Sequence, residues 1–224
     1  GTAVVYLMLR KMVLGTLMEP GSIPEVDNPL AHVSAASRIA TAFTLFLRYV
    51  GLFLFPLRLS ADYSSPQILP LKGLGDLGVI FSAAIIAGLA FLSVRSLRRL
   101  PVLTWGLGFT ACTFFLVSNI PFPIGTVFAE RLFYLPSAGL CAVSGLLLSA
   151  LHGKRPRMAM ILLVGMVSLL GFTTWDRCRD WKDDFTLFRA ASQVAPNSAK
   201  VRYSLANAYR RRGDLPRAAE NYRR

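Results

Sequence analysis

Near Trp175 the chain changes character. Before it, apolar runs alternate with short basic or proline-rich loops. After it, the sequence turns polar and strongly charged and ends in a helical repeat pattern. A bundle of membrane helices carrying a repeat domain just outside the bilayer is a narrow architectural class. The expected fold is therefore all-α: a polytopic membrane helix bundle over residues 1–175, then the start of a helical repeat domain over residues 176–224.

Composition supports the membrane half. The chain is 54% hydrophobic and 17% charged, whereas a soluble domain is about 45–50% apolar and about 25% charged. The formal charge is +13. On a soluble protein that excess suggests nucleic acid, but no recognised binding motif accompanies it, and no nucleic-acid partner is expected. Arg95, Arg98 and Arg99 sit between two apolar runs, as do Lys154, Arg155 and Arg157, which is the positive-inside signature of short cytoplasmic loops. Cys112 and Cys141 lie inside apolar runs and Cys178 stands alone. No CxxC or Cys/His metal spacing is present, so neither a disulfide framework nor a metal is expected.

A spanning helix needs about 20 mostly apolar residues. Residues 79–94, 103–120, 133–151 and 158–174 qualify with their flanks. Residues 39–57 make a fifth span with Arg48 at its middle. Residues 2–18 read as the end of a sixth. The chain opens on Gly1 and closes on Arg224 inside a repeat, so it is expected to be an internal piece of a longer protein, and no signal peptide is read. With loops 95–101 and 152–157 cytoplasmic, loops 58–77 and 121–131 face the opposite side, together with everything after Trp175. The same alternation makes loop 19–38 cytoplasmic unless a re-entrant segment returns it.

Residues 200–224 read KVRYSLANAYRRRGDLPRAAENYRR. Leu205, Ala206, Tyr209, Gly213, Ala218 and Tyr222 match the spacing of a tetratricopeptide (TPR) repeat, a helix pair of about 34 residues. Leu205, Ala206 and Tyr209 share one helix face, Gly213 and Asp214 make the turn, Ala218 is small at the crossing and Tyr222 packs back. Residues 184–195 resemble the second helix of a degenerate repeat, with Phe185, Phe188, Ala191 and Val194 at helical spacing. Arg210, Arg211, Arg212 and Arg217 form a basic face, read either as a solvated surface or as a site for an acidic peptide.

Polar groups in or beside the spans are the candidate site residues. A charge at mid-bilayer costs at least about 2.5–3.5 kcal/mol by insertion scales, so Arg48 faces the bundle interior, a cavity or an anionic ligand. In LRLSADYSSP, Asp62 and Tyr63 either bind sugar hydroxyls or cap the turn before Pro66. In SNIPFPIGTVFAERLFYLPS, Pro121 and Pro123 interrupt helix and Glu130, Arg131 and Tyr134 enter the next span. Glu130 and Arg131 either neutralise each other or hold and orient a phosphate. In VDNPLAHVSAASR, Asp27 opens a turn with Asn28 and Pro29, and His32 and Arg38 are expected on the helix that follows.

Together, VDNPLAHVSAASRIATA, RYVGLFLFPLRLSADYS and FPIGTVFAERLFYLPS, followed by a span and the repeat, resemble the transmembrane-and-TPR O-mannosyltransferases. AERLFYLPS is the most specific block and LSADYS the next. The resemblance runs from about Asp27 to the end; bacterial membrane proteins with TPR tails share it. It implies a GT-C glycosyltransferase fold in a bacterial inner membrane or the endoplasmic reticulum membrane. The implied donor is a polyprenyl-phosphate sugar, typically mannose on dolichyl phosphate, and no other cofactor is implied. The acceptor is a Ser or Thr hydroxyl of a protein presented by TPR repeats on the non-cytoplasmic side.

In such enzymes a carboxylate base takes the hydroxyl proton and a cation stabilises the departing phosphate. The base usually sits in the first outer loop, which this sequence does not contain, so no catalytic base is assigned. Arg131, then Arg48, are the expected phosphate contacts. Asp62, Tyr63, Glu130, Tyr134, Asp27 and His32 are cavity candidates. The competing readings are a non-catalytic membrane-anchored TPR scaffold and a transporter. Transport predicts repeat symmetry between halves of the bundle, and none is seen.

Overall fold

In the computed structural model the described residues are 23–223 together with Val5, Met8, Leu9 and 11–13. The remainder of the span expected over residues 2–18 lies outside the described residues. Those described are helical or loop, with no strand among them.

Among the described residues, five apolar helices with set bounds precede the C-terminal ones: α1 (Ala35–Leu54), α2 (Leu77–Ser96), α3 (Pro101–Val117), α4 (Tyr134–Lys154) and α5 (Pro156–Asp180). Local chemistry sets their ends. Ser34 caps α1 by accepting from the Ser37 amide, and Asp76 caps α2 by accepting from the Gly78 amide at 2.7 Å. Pro101 and Pro156 open α3 and α5, where a missing N–H costs nothing. α1 stops just before Pro56, which disfavours helix in its predecessor.

Four of these helices are long and apolar enough to cross a membrane; α3, with 17 residues, is shorter. The run expected to reach Ile120 ends earlier, at Val117. The chain then turns through Asn119, whose φ of 62° is left-handed, a conformation Asn tolerates better than most residues.

Two other expectations shift. α1 starts at Ala35 and ends at Leu54, not 39–57, so Arg48 lies less than two turns from its end rather than at its middle. The helix of the last span continues past Trp175, since α5 runs on to Asp180 unbroken. The change of composition is thus not a change of element.

α3 and α4 cross closely through glycine. A Cβ on Gly106 would lie 2.7 Å from the Gly139 carbonyl oxygen, and one on Gly139 would strike the Gly106 carbonyl oxygen and the Thr110 hydroxyl. Thr110 donates to the Pro136 carbonyl across the same contact at 2.9 Å. Thr110 is level with Pro136, and Gly106 with Gly139 and Val143, so the helices run antiparallel. The α2–α3 and α4–α5 links therefore share one end of the bundle.

Three shorter helices follow: α6 (Asp184–Val194), α7 (Ala199–Arg211) and α8 (Leu215–Arg223). Asp183 and Thr186 form a reciprocal capping box at α6. The Thr186 amide holds the Asp183 carboxyl below its ordinary range. Gly213, at φ 80°, turns α7 into α8, a backbone that L side chains rarely adopt.

Leu205, Ala206 and Ala218 are buried where α7 meets its neighbours, and the Tyr209 ring packs edge-on against Phe185 at 5.2 Å. Tyr222 does reach back, donating to Asn207 at 2.7 Å, yet it stays exposed while its neighbour Asn221 is buried. The arrangement is compatible with the repeat pattern. Most of the basic face is engaged: Arg211 pairs with Asp184, Arg212 with Asp183 and Arg217 with Asp214.

Candidate functional site

The mouth of the bundle, at the α1 C-terminus and the start of α4, gathers most of the candidate residues. Its floor is aromatic. Tyr49 of α1 stacks on Phe128 and Phe133, with ring centroids 4.2 and 5.1 Å away, and meets Phe114 edge-on. Its hydroxyl donates to the Ala129 carbonyl and accepts from the Ala129 amide, each at 3.1 Å. The AERLFYLPS block is thereby fixed to α1. One hydrophobic core includes Leu30, Leu45, Tyr63, Phe114, Phe128 and, from the C-terminal helices, Ala195.

Glu130 and Tyr63 form the polar centre. The Tyr63 hydroxyl donates to Glu130 Oε1 at 2.6 Å, and the Ser60 amide donates to the same oxygen at 2.8 Å. Tyr63 is 1% exposed. Burial, then the bond to Glu130, pushes its phenol far above the ordinary range, so it remains a donor throughout physiological pH. Glu130 makes no ion pair with Arg131.

Arg48 lies over the rings of Tyr63 and Phe128, 4.9 and 5.0 Å from their centroids, a cation–π arrangement. Among the described residues Arg48 has no carboxylate within ion-pairing distance. Arg177, near the end of α5, is held by Asp180 at 2.7 Å and its side chain is 16% exposed.

Asp62 is not a free cavity carboxylate. Its Oδ2 accepts from the Ser64 amide at 2.7 Å and from the Ser198 hydroxyl at 2.8 Å. Ser64 and Ser198 are themselves 2.9 Å apart, and the Lys200 amide donates to the Ser64 hydroxyl at 3.1 Å. Ser198 is the residue that caps α7.

The LSADYSSP segment is thus the dock for the C-terminal helices. Asn197 donates its amide to Gln67 at 2.9 Å, and Ala199 donates to the Ser65 carbonyl at 3.3 Å. Asp27 adds an ion pair with Lys200 at 2.5 Å, and its carbonyl accepts from the Val127 amide at 3.2 Å.

The other candidates are placed differently. Arg131 is exposed, in the 3-10 turn Glu130–Phe133 that leads into α4. Tyr134 is 84% exposed. His32 is not on α1: it closes the separate 3-10 turn Pro29–His32, with Nε2 2.8 Å from the Ile23 carbonyl oxygen.

Asn28 caps the turn expected from Asp27, Asn28 and Pro29 by accepting from the Leu30 amide; its long-range bonds, and the part played by Asn119, carried no sequence signal. Asn28 donates to Asn119 Oδ1 and to the Ile124 carbonyl, both at 2.7 Å, and Asn119 accepts from the Ile124 amide at 2.9 Å. Both asparagines are buried. Asn28 stands directly before Pro29, whereas Asn119 is separated from Pro121 by Ile120, so only the first carried a local turn signal. Among the described residues no group of His, Cys, Asp and Glu is placed to hold a metal ion.

Comparison with known proteins meets this geometry at its most built-up part. The family model described as "Protein O-mannosyl-transferase TMTC, DUF1736" matches residues 19–90, the stretch that carries Asn28, Arg48, Asp62 and Tyr63. Curated proteins named protein O-mannosyl-transferase TMTC4 align along nearly all of the chain. The mouse protein is 33% identical over 100% of this chain and 31% of its own length; the human one is 30% identical over 99% and 30%. The chain belongs to the TMTC protein O-mannosyl-transferase family.

Human TMTC1 is 33% identical over 92% of the chain and 24% of its own length. The chain thus spans about a third or less of the curated TMTC relatives it matches. No solved structure matches it. TMTC membership and the apolar helices together make this a membrane protein.

Proposed function

We propose that this chain is part of a membrane glycosyltransferase that moves a sugar, mannose in the leading case, from a polyprenyl-phosphate carrier to a Ser or Thr hydroxyl of a protein. The O-mannosyl-transferase names of its relatives support the activity. The observation that carries the rest is the seam joining Asp62, Ser64 and Asp27 to Ser198 and Lys200. It seats the C-terminal helices beside the mouth, where a repeat domain would present an acceptor.

Two features suit the donor. An apolar cleft of about 550 Å³ lies beneath the aromatic floor, lined by Phe43 and Phe46 of α1, Ile86 and Leu89 of α2, and Leu107 and Phe114 of α3. Its chemistry suits an isoprenoid chain. At the outer rim Arg131 is exposed and Arg48 lacks a carboxylate partner among the described residues, so both are available to a phosphate. In this reading the repeats stand on the non-cytoplasmic side and the catalytic base comes from another part of the protein.

A second reading, a membrane-anchored repeat scaffold without chemistry, is favoured by one observation. Asp62 and Glu130, the candidate carboxylates at the mouth, are both engaged in hydrogen bonds that hold the loops. Glycoproteomics of cells with and without the gene separates the two. Loss of protein-linked hexose from Ser and Thr supports the transferase; an unchanged glycoproteome supports the scaffold.

A further inference from the structure

The end of the bundle opposite the mouth carries a second charged surface that the transferase reading does not use. It is built by the links α2–α3 and α4–α5. The first presents Arg95, Arg98 and Arg99, the second Lys154, Arg155 and Arg157, and all six side chains belong to exposed residues. The antiparallel crossing of α3 and α4 brings the links to the same end. No Asp or Glu occurs anywhere between residues 77 and 129 or between 131 and 175. Among the described residues none of the six cations is in an ion pair.

Two further features point to what covers this surface. The helices that start here, α3 and α5, both lack a side-chain cap, so the amides just after Pro101 and Pro156 have no side-chain acceptor and favour an anion. Leu97, Leu100, Val102 and Trp105 are also exposed around the first link. Cations, free helix N-termini and apolar side chains with an interfacial Trp suit a phosphate attached to an acyl chain better than a soluble anion.

We infer that this end of the bundle binds the headgroups of anionic phospholipids, held between the α2–α3 and α4–α5 links. Binding there would fix the tilt of α3, the shortest apolar helix, against the bilayer surface.

The test is native mass spectrometry of the full-length protein in detergent with equal amounts of phosphatidylglycerol and phosphatidylcholine. Phosphatidylglycerol should be retained in excess by about fivefold or more, the factor one cation contributes near an anionic surface. High salt should shrink the excess, as should the combined variant R98Q/R99Q/R155Q/R157Q. Equal retention of the two lipids by the unaltered protein overturns the inference, and so does an undiminished excess in a variant that inserts normally. If that variant fails to insert, the salt dependence of the unaltered protein decides. Displacement of phosphatidylglycerol by inorganic phosphate would mark a small-anion site and also overturn it.

Discussion

Asp62 joins segments far apart in the chain, and its bonds show why a single carboxylate matters here. It caps its own turn through the Ser64 amide and holds the Ser198 hydroxyl at the start of α7. Asp62→Ala removes the acceptor of the Ser64 amide and leaves the Ser198 hydroxyl only Ser64 Oγ, at a seam of buried serines, a loss of about 1–3 kcal/mol. Hydrogen exchange reads it locally: the amides of Asn197, Ala199 and Lys200, protected by bonds to Gln67, Ser65 and Ser64, should exchange faster in the variant. Unchanged protection would show that the seam does not depend on Asp62.

Sequence reasoning had set turn-capping and sugar-binding side by side for Asp62. In the structure Asp62 caps its turn through the Ser64 amide and also takes a bond from Ser198, 136 residues away, and no local pattern reports the second bond. Glu130 is similar. Its neighbour Arg131 is the obvious partner by sequence, but in the 3-10 turn Arg131 is exposed and Glu130 bonds to Tyr63 instead.

At the scale of elements, helix existence followed from apolar run length, while helix ends followed from caps and prolines. Runs blur into their flanks, which is why α1 was shifted toward the C-terminus and α5 was cut short at Trp175. The crossing of α3 and α4 could not be read in advance, since glycine is common in apolar helices and nothing marks which ones touch. Gly139→Ala should destabilise the bundle by about 1–3 kcal/mol, because its methyl meets backbone and the Thr110 hydroxyl. Gly108→Ala meets nothing within 4 Å, and should be neutral or slightly stabilising through higher helix propensity. Thermal melts in detergent compare the two. Equal melting temperatures would remove the glycine contact as a determinant of packing.

For the molecule as a whole, the membrane half and the C-terminal helices share a core instead of hanging on a linker. α5 is continuous through the compositional junction, Ser198 and Lys200 bond to Asp62 and Asp27, and Ala195 joins the aromatic floor. The sequence showed two compositions, and composition reports solvent, not mechanical connection. Topology is testable with an impermeant thiol reagent on sealed vesicles, using a background with Cys112, Cys141 and Cys178 replaced by Ser. Arg98→Cys and Ser192→Cys should label from opposite faces of the membrane; labelling from the same face would contradict the proposed orientation.

The central claim is that the mouth handles a phosphate-linked sugar destined for protein. Its most direct test is transfer by the purified full-length protein of labelled mannose from a polyprenyl-phosphate carrier to a protein acceptor, with and without Arg131→Ala. The account predicts transfer by the unaltered protein and its loss in a variant that inserts and melts normally. Equal transfer by both proteins would contradict the role of Arg131, and no transfer by the unaltered protein would contradict the account itself.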